Sequence, residues 1–427
     1  MTFEETTEFL YKQVPVFQHN GASAYKPGLD NTNALDAYFD YPHKSYKTIH
    51  VGGTNGKGST SHTLAAILQA QGYNVGLYTS PHLVDFRERI RVNGEMLPEQ
   101  YVIDFVAEHF DSVKHVRPSF FELTMMMAFC YFRACNVDIA VIEVGLGGRL
   151  DSTNVITPEM SIITNISFDH VQFLGDTLEK IAEEKAGIIK PAIPVVIGEA
   201  EGGIKDIFRN RASEVNAPVI FAQETGIIKS ERKENNNWIF DTEKYASLRF
   251  DLGGECQQKN ALTILTAIEV LNRQGISINE RSVREGFGNV CALTGLQGRW
   301  QQVNDNPLTF CDTGHNKAGI EYIVEQLKQQ QYETLRIVIG MVNDKDVSGV
   351  LEILPKEAVY YFTKASVPRA LSETELAEKA ACAGLIGTNH ASVKEAYQSA
   401  LAESDSSDFI FVGGSNFIVA DLLASIR

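Results

Sequence analysis

The stretch His50-Val51-Gly52-Gly53-Thr54-Asn55-Gly56-Lys57-Gly58-Ser59-Thr60 decides the reading of this chain. A short apolar run, Lys47–Val51, ends in its glycines. A segment with helical apolar spacing, Ser59–Gln71, follows (Leu64, Ala65, Ile67, Leu68). Strand, glycine loop and helix in that order form the context of a phosphate-binding loop. Glycines let backbone N–H groups turn inward and come close to phosphate oxygens, and the helix N-terminus adds a favourable dipole. In such a loop Lys57 would neutralise β- and γ-phosphate charge, and Ser59 or Thr60 would face a metal ion. Asn55, Gly56 and Gly58 complete the expected ATP-binding set. The strict GxxxxGK[ST] spelling fails, because Gly58 separates Lys57 from Ser59. A plain glycine-rich connection is the competing reading.

Outward from the loop, strand-like and helix-like runs alternate. Asn74–Tyr78, Asp138–Val144, Met160–Ile166 and Pro194–Ile197 read as strands, with a helix over Thr177–Lys185. The alternation pauses at the polar stretch Lys229–Asn237, where Trp238–Phe240 and Leu248–Phe250 read as a hairpin-like excursion. A helix over Asn260–Gln274 comes next. A fresh series then begins: strands at Leu308–Cys311, Leu335–Ile339, Ala358–Phe362 and Phe409–Val412, and helices at Lys317–Gln329, from Ser372 and near Ser392–Ala402. The pattern predicts an α/β protein. A P-loop-type domain with a mainly parallel sheet, residues 1–297, precedes a smaller Rossmann-like α/β domain, residues 298–427.

The 427 residues carry 38 Lys+Arg against 54 Asp+Glu, a net charge of −16. An acidic chain repels phosphate backbones, so no nucleic-acid partner is expected. A small anionic substrate remains compatible, because one basic pocket can outweigh the global field. No apolar run reaches the ~20 residues of a membrane helix, and MTFEETTEFLYKQ lacks the basic-then-apolar order of a signal peptide. The six cysteines form no CxxC and read as reduced. A cytoplasmic monomer without a membrane partner is expected.

Further motifs extend the pattern. Thr79-Ser80-Pro81-His82-Leu83 and Glu88-Arg89-Ile90-Arg91-Val92-Asn93-Gly94 follow the loop. Then come Ile142-Glu143-Val144-Gly145-Leu146-Gly147-Gly148-Arg149-Leu150-Asp151-Ser152-Thr153-Asn154, Phe168-Asp169-His170 and Glu184-Lys185-Ala186-Gly187-Ile188. Gly298-Arg299, Asp312…His315-Asn316, Asp344-Lys345-Asp346 and Gly414-Ser415 close the series. In this order, together with GTNGKGS, they resemble the folylpolyglutamate synthase/dihydrofolate synthase family of the Mur-ligase superfamily. The resemblance runs from about Gly28 to the C-terminus. Two spellings depart from the family: Gln297 stands where a proline is usual, and Gly314 where alanine is usual.

Read from residues alone, Glu143 closes an apolar strand, where ligands bind in open α/β sheets. A carboxylate there is a natural Mg²⁺ ligand, with a solvated strand-end acid as the alternative reading. His170 by itself reads as a hydrogen-bonded structural histidine, Ser80 as a loop serine and Lys185 as a surface salt-bridge lysine. The resemblance implies more: Ser80, Glu143 and His170 as ligands of Mg²⁺ (Mn²⁺ as an alternative), and Lys185 as a carbamylated, catalytic lysine beside the metal. It also implies that Asn260, Arg299 and Asp312 contact the nucleotide, and that His315 and Ser415 face L-glutamate, His315 with a catalytic role. Folate contacts are expected at Ser119-Phe120-Phe121-Glu122, whose aromatic faces suit a flat ring. Leu150-Asp151-Ser152 and the loop Ala24–Asp30 are further folate candidates. Core aromatics and helix caps are the alternative readings there.

The implied activity is an ATP-dependent ligase that adds L-glutamate to the γ-carboxyl of a reduced folate through an acyl phosphate. A bifunctional enzyme that also joins glutamate to dihydropteroate is the first alternative. A muramyl-peptide ligase would carry a UDP-sugar domain before the loop, yet only 51 residues precede Gly52. A nucleotide-binding regulator would have no use for Glu143, His170 and Lys185 together.

Overall fold

The computed structural model describes residues 1–14, 28–343 and 346–426. Part of the loop Ala24–Asp30 and the pair Asp344-Lys345 therefore lie outside the described residues. The chain divides into two compact units. One comprises Met1–Ser167, Val171–Asp251 and Gln257–Leu296. The other comprises Gln297–Arg427 together with the short segments Phe168–His170 and Leu252–Cys256.

Among the described residues the first unit holds an eight-stranded sheet. Its strands are β1 (Lys47–Gly52), β2 (Val75–Tyr78), β3 (Ile90–Val92), β4 (Glu95–Met96), β5 (Ile139–Glu143), β6 (Met160–Ile163), β7 (Val195–Ile197) and β8 (Val219–Phe221). They lie in the order β4-β3-β2-β5-β1-β6-β7-β8, and only the edge pairs β2–β3 and β3–β4 are antiparallel. The central strands are buried on both faces, so they read as continuous apolar runs rather than alternating ones. Register aligns their carboxyl ends: Val51 pairs with Glu143, Gly52 with Ile163 and Tyr78 with Ile142. The loops after β1, β2, β5 and β6 thus leave the same edge of the sheet, where open α/β sheets bind ligands. The helix Phe120–Ala134 supplies Met125, Met126, Met127, Phe129 and Phe132, all fully buried, to a core against this sheet.

Two segments differ from the sequence-based expectation for physical reasons. The run Met160–Ile166 stops being strand at Ile163; beyond it the side chains of Thr164 and Asn165 bond the phosphate loop. The polar stretch near Lys229 is itself a strand, β9 (Ile228–Glu234). It pairs with β10 (Asn237–Thr242), which pairs in turn with β11 (Leu248–Phe250). An edge strand exposed along most of its length carries no apolar alternation to read.

In the second unit six strands lie in the order β12-β13-β17-β14-β15-β16 among the described residues. These are β12 (Gln301–Asp305), β13 (Leu308–Asp312), β14 (Leu335–Ile339), β15 (Val359–Phe362), β16 (Gly387–Asn389) and β17 (Phe409–Gly413). All neighbouring pairs are parallel except β12–β13. Asp312 pairs with Gly413 across β13 and β17. The stretches Thr313–Asn316 and Gly414–Ser415 therefore start side by side from the carboxyl edge.

Candidate active site

The phosphate loop is shaped by its glycines and held by its neighbours. Gly53 has φ +137° and Gly56 φ +83°, conformations that disfavour any side chain. Close approach requires them as well. A Cβ on Gly53 would fall 3.0 Å from the Thr164 Cβ and backbone nitrogen, and one on Gly56 would fall 3.1 Å from the Asn260 Cγ. The Asn55 N–H donates to Asn165 Oδ1 (2.9 Å), and the Asn55 amide donates to Ser167 Oγ (3.2 Å). Thr54 exchanges bonds with the Ser167 backbone, donating through Oγ1 to its carbonyl (3.2 Å) and accepting from its N–H (3.1 Å). Thr164 Oγ1 donates to the Asn55 carbonyl (2.5 Å).

The helix Lys57–Gln71 begins immediately after Gly56. Lys57 Nζ curls back to donate to the Gly53 and Thr54 carbonyls at 3.1 and 3.0 Å. Lys185 is 4% exposed, and its Nζ donates to the same Gly53 oxygen at 2.9 Å. Two lysines distant in sequence therefore converge on one carbonyl, which makes this rim of the loop strongly electropositive in a chain of negative net charge. Ser59 is buried and accepts from Gln257 Nε2 (3.1 Å), whose Oε1 accepts from Asn260 (2.8 Å). The Thr60 hydroxyl is buried without a protein partner. A phosphate or metal-bound oxygen would satisfy such a group.

At the end of β5, Glu143 is 3% exposed and its Oε2 accepts the Ser80 N–H at 3.1 Å. The structure thus joins two of the three expected metal ligands in the first unit. His170 falls in the second unit, with φ +51° and its N–H donating to Asp169 Oδ1 (2.8 Å). Among the described residues no group of three or more His, Cys, Asp or Glu is arranged to hold a metal ion.

The expected folate contacts turn out differently from one another. Ser119 caps the helix Phe120–Ala134 and forms a reciprocal capping box with Glu122, the Ser119 N–H donating to Glu122 Oε2 at 2.6 Å. The other Glu122 oxygen accepts from Thr32 (3.2 Å), so both residues face inward. Phe120 is buried beside Tyr11 and Phe86, under the Arg89 guanidinium. Phe121 is half-buried beside Tyr78 and lies directly beneath Gly145, so of the two phenylalanines it is the one able to offer a ring face.

Leu150 and Ser152 are likewise partly exposed, but Asp151 is buried. Its carboxylate accepts the Leu146 N–H (2.8 Å), the Thr153 N–H (3.0 Å) and the Thr153 hydroxyl. Burial raises this carboxyl above its ordinary range against those hydrogen bonds. Thr153 Oγ1 also meets His50 Nε2 at 2.8 Å, and burial drives the His50 imidazole down to about 3.

In the second unit Asp312 accepts the Trp300 N–H (2.7 Å) and the Gly314 N–H (2.8 Å). Burial raises its carboxyl, with the Arg299 guanidinium opposing. Arg299 itself donates to the Thr313 hydroxyl and the Gly298 carbonyl. His315 has its Nδ1 3.0 Å from the Thr313 carbonyl. Ser415 is buried and its Oγ accepts the Ile418 N–H at the start of the helix Asn416–Ile426.

Several residues of this geometry escape sequence reasoning. Asn165 and Ser167 look like ordinary loop residues, and their role appears only once β6 is seen to stop early. Gln257 carried a usable signal, since it lies three residues before Asn260 on one helix face. Arg89, inside a quoted motif, is buried and donates from Nε to His82 Nδ1 (2.7 Å). Burial lowers its guanidinium, with Tyr78, Tyr11 and Glu143 opposing.

Comparison with known proteins places this geometry. The Mur ligase middle domain matches residues 51–268, and the Mur ligase glutamate ligase domain matches residues 298–416. A dihydrofolate synthase/folylpolyglutamate synthase of Bacillus subtilis is 34% identical over 359 residues, spanning 81% of this chain and 83% of the relative. The structure of Escherichia coli FolC in complex with DHPP and ADP superposes with a TM-score of 0.87 at 30% identity, covering 100% of this chain and 98% of that one. A bifunctional folylpolyglutamate synthase/dihydrofolate synthase with Mn, AMPPNP and L-glutamate bound gives 0.84 at 29% identity, covering 100% and 98%. Among the described residues no helix is long and apolar enough to cross a membrane.

Proposed function

The chain belongs to the dihydrofolate synthase/folylpolyglutamate synthase group of the Mur ligases, and we propose on that premise that it uses ATP to join L-glutamate to the γ-carboxyl of a reduced folate. One observation carries the reading. The phosphate loop, with Lys57 and Lys185 on the Gly53 carbonyl, follows the strand whose Val51 pairs with the buried Glu143. Phosphate-binding and metal-binding groups therefore leave one sheet edge.

The chemistry follows from those positions. A folate carboxylate oxygen attacks the γ-phosphorus of ATP, the bridging bond to the β-phosphate breaks, and ADP leaves. The Lys57 ammonium offsets charge on the transferred phosphoryl group, and the loop N–H groups hold the remaining phosphates. The glutamate amine then attacks the acyl carbon, phosphate departs with its oxygen, and the amine loses a proton. Ser80 and Glu143 would supply oxygen donors that fit Mg²⁺ or Mn²⁺, and His170 is the further candidate ligand; such an ion would supply Lewis-acid charge at the phosphates. Asn260 and Gln257 line the helix side of the loop. In the second unit Arg299 and Asp312 are the candidate nucleotide contacts, and His315 and Ser415 the candidate glutamate contacts.

Carbamylation of Lys185 belongs to this proposal. The modification would replace a cation beside Lys57 with an anion and so turn two like charges on one oxygen into an opposed pair. Lys185→Ala should abolish ligation, with partial rescue by a small carboxylate.

The deciding experiment offers purified enzyme ATP, glutamate and, separately, tetrahydrofolate or dihydropteroate, with products read by mass spectrometry. ADP formation that needs both glutamate and a pteroate, with product gaining one glutamyl residue, supports the ligase. Product from dihydropteroate as well makes the enzyme bifunctional. ADP formation independent of glutamate sinks the reading.

A further inference from the structure

We propose that Asp169 is a positioning residue for the glutamate side of the second unit, fixing His315 and Asn316 through one carboxylate. The inference rests on reading His315 as the glutamate-facing residue.

The Asp169 side chain is 8% exposed. Its Oδ2 lies 3.3 Å from His315 Nε2 and 3.2 Å from Asn316 Nδ2. Both partners are oriented from their far ends. His315 Nδ1 meets the Thr313 carbonyl at 3.0 Å, so the ring is held at both nitrogens.

Asn316 is fixed by its role as a helix cap. Its Oδ1 accepts the Gly319 N–H (2.9 Å) at the start of the helix Lys317–Lys328, which obliges its NH₂ to face Asp169. The carboxylate itself is held from behind, since Oδ1 accepts the His170 N–H. An amino acid arriving with two carboxylates is best held by a ring of defined orientation. Asp169 supplies that definition without touching substrate.

Asp169 also neighbours the proposed metal ligand His170, so the test must separate two routes. Asp169→Asn keeps the shape and removes the charge. We expect it to raise KM for glutamate roughly tenfold to a hundredfold. KM for ATP and the Mg²⁺ concentration for half-maximal rate should stay within about threefold, with the thermal midpoint near wild type. In a His315→Gln background the same change should add less than about threefold. A shifted Mg²⁺ requirement with unchanged KM for glutamate would overturn the proposal, because Asp169 would then act through His170. Fully multiplicative effects of the two substitutions would overturn it as well.

A second measurement does not depend on ligation. In ¹⁵N-histidine-labelled protein the ring signal that His315→Gln removes should shift in Asp169→Asn, and an unmoved signal refutes the contact. Wild-type protein without glutamate-dependent product, but with that shift, would sink the ligase reading and leave the positioning role standing.

Discussion

The phosphate loop and the two stretches expected to touch folate make an instructive pair. Both are written in the sequence as compact motifs rich in polar residues. In the loop, glycines at φ +137° and +83° turn the backbone toward a ligand, and Lys57 and Lys185 gather on one carbonyl at its rim. In Ser119–Glu122 and Leu150–Ser152 the polar groups turn inward: Ser119 and Glu122 close a capping box, and Asp151 ties down its own turn. Glycine geometry at a strand end signals a site more reliably than polar side chains at a helix start, because helix caps demand the same residues.

The comparison can be broken from the loop side first. Lys57→Ala should lower kcat roughly 10²–10³-fold while the melting temperature stays close to wild type, since Nζ bonds only carbonyls of a loop that glycines already shape. Steady-state rates at saturating ATP check this, and a loss below tenfold would mean that Lys57 is structural. Gly53→Ala should instead cost stability, roughly 2–4 kcal/mol from backbone strain together with the clash against Thr164. Urea unfolding measures it.

The inward-facing region makes its own prediction. His50 is fully buried against Thr153, with its imidazole near 3 rather than 6.5 because burial, and secondarily the Lys190 ammonium, oppose its charge. Between those two values the unfolded chain binds one more proton than the folded one. Stability from this residue is therefore complete above pH 6.5 and is lost as pH falls below it. Between pH 7 and pH 5 wild type should lose about 2 kcal/mol more than His50→Gln. Paired urea titrations decide the matter, and equal losses would place solvent beside the ring.

How much was legible follows from where the information resides. Strands β1, β5 and β14 could be read to within a residue or two, because buried parallel strands are unbroken apolar runs. Strand β9 could not, since its exposed residues carry no burial pattern. The loop glycines and Lys57 were legible because their chemistry is local. Asn165 and Ser167 were not, because each matters through a partner more than a hundred residues away. Local periodicity holds no trace of such a pairing.

The smallest effect tests the comparison most sharply. If Ser119 is a cap and not a folate contact, Ser119→Ala removes the side-chain acceptor for the Glu122 N–H and leaves Glu122 bonded to the Ser119 N–H and to Thr32. The expected cost is about 1 kcal/mol of stability, with KM for folate unchanged within twofold in the folded enzyme. Phe121→Ala supplies the contrast: its half-exposed ring beneath Gly145 should affect folate binding more than stability. A Ser119→Ala enzyme of normal stability that bound folate tenfold more weakly would return the capping box to the substrate side. The inward-facing region would then have to be read as part of the site, its caps serving both the helix and the ligand.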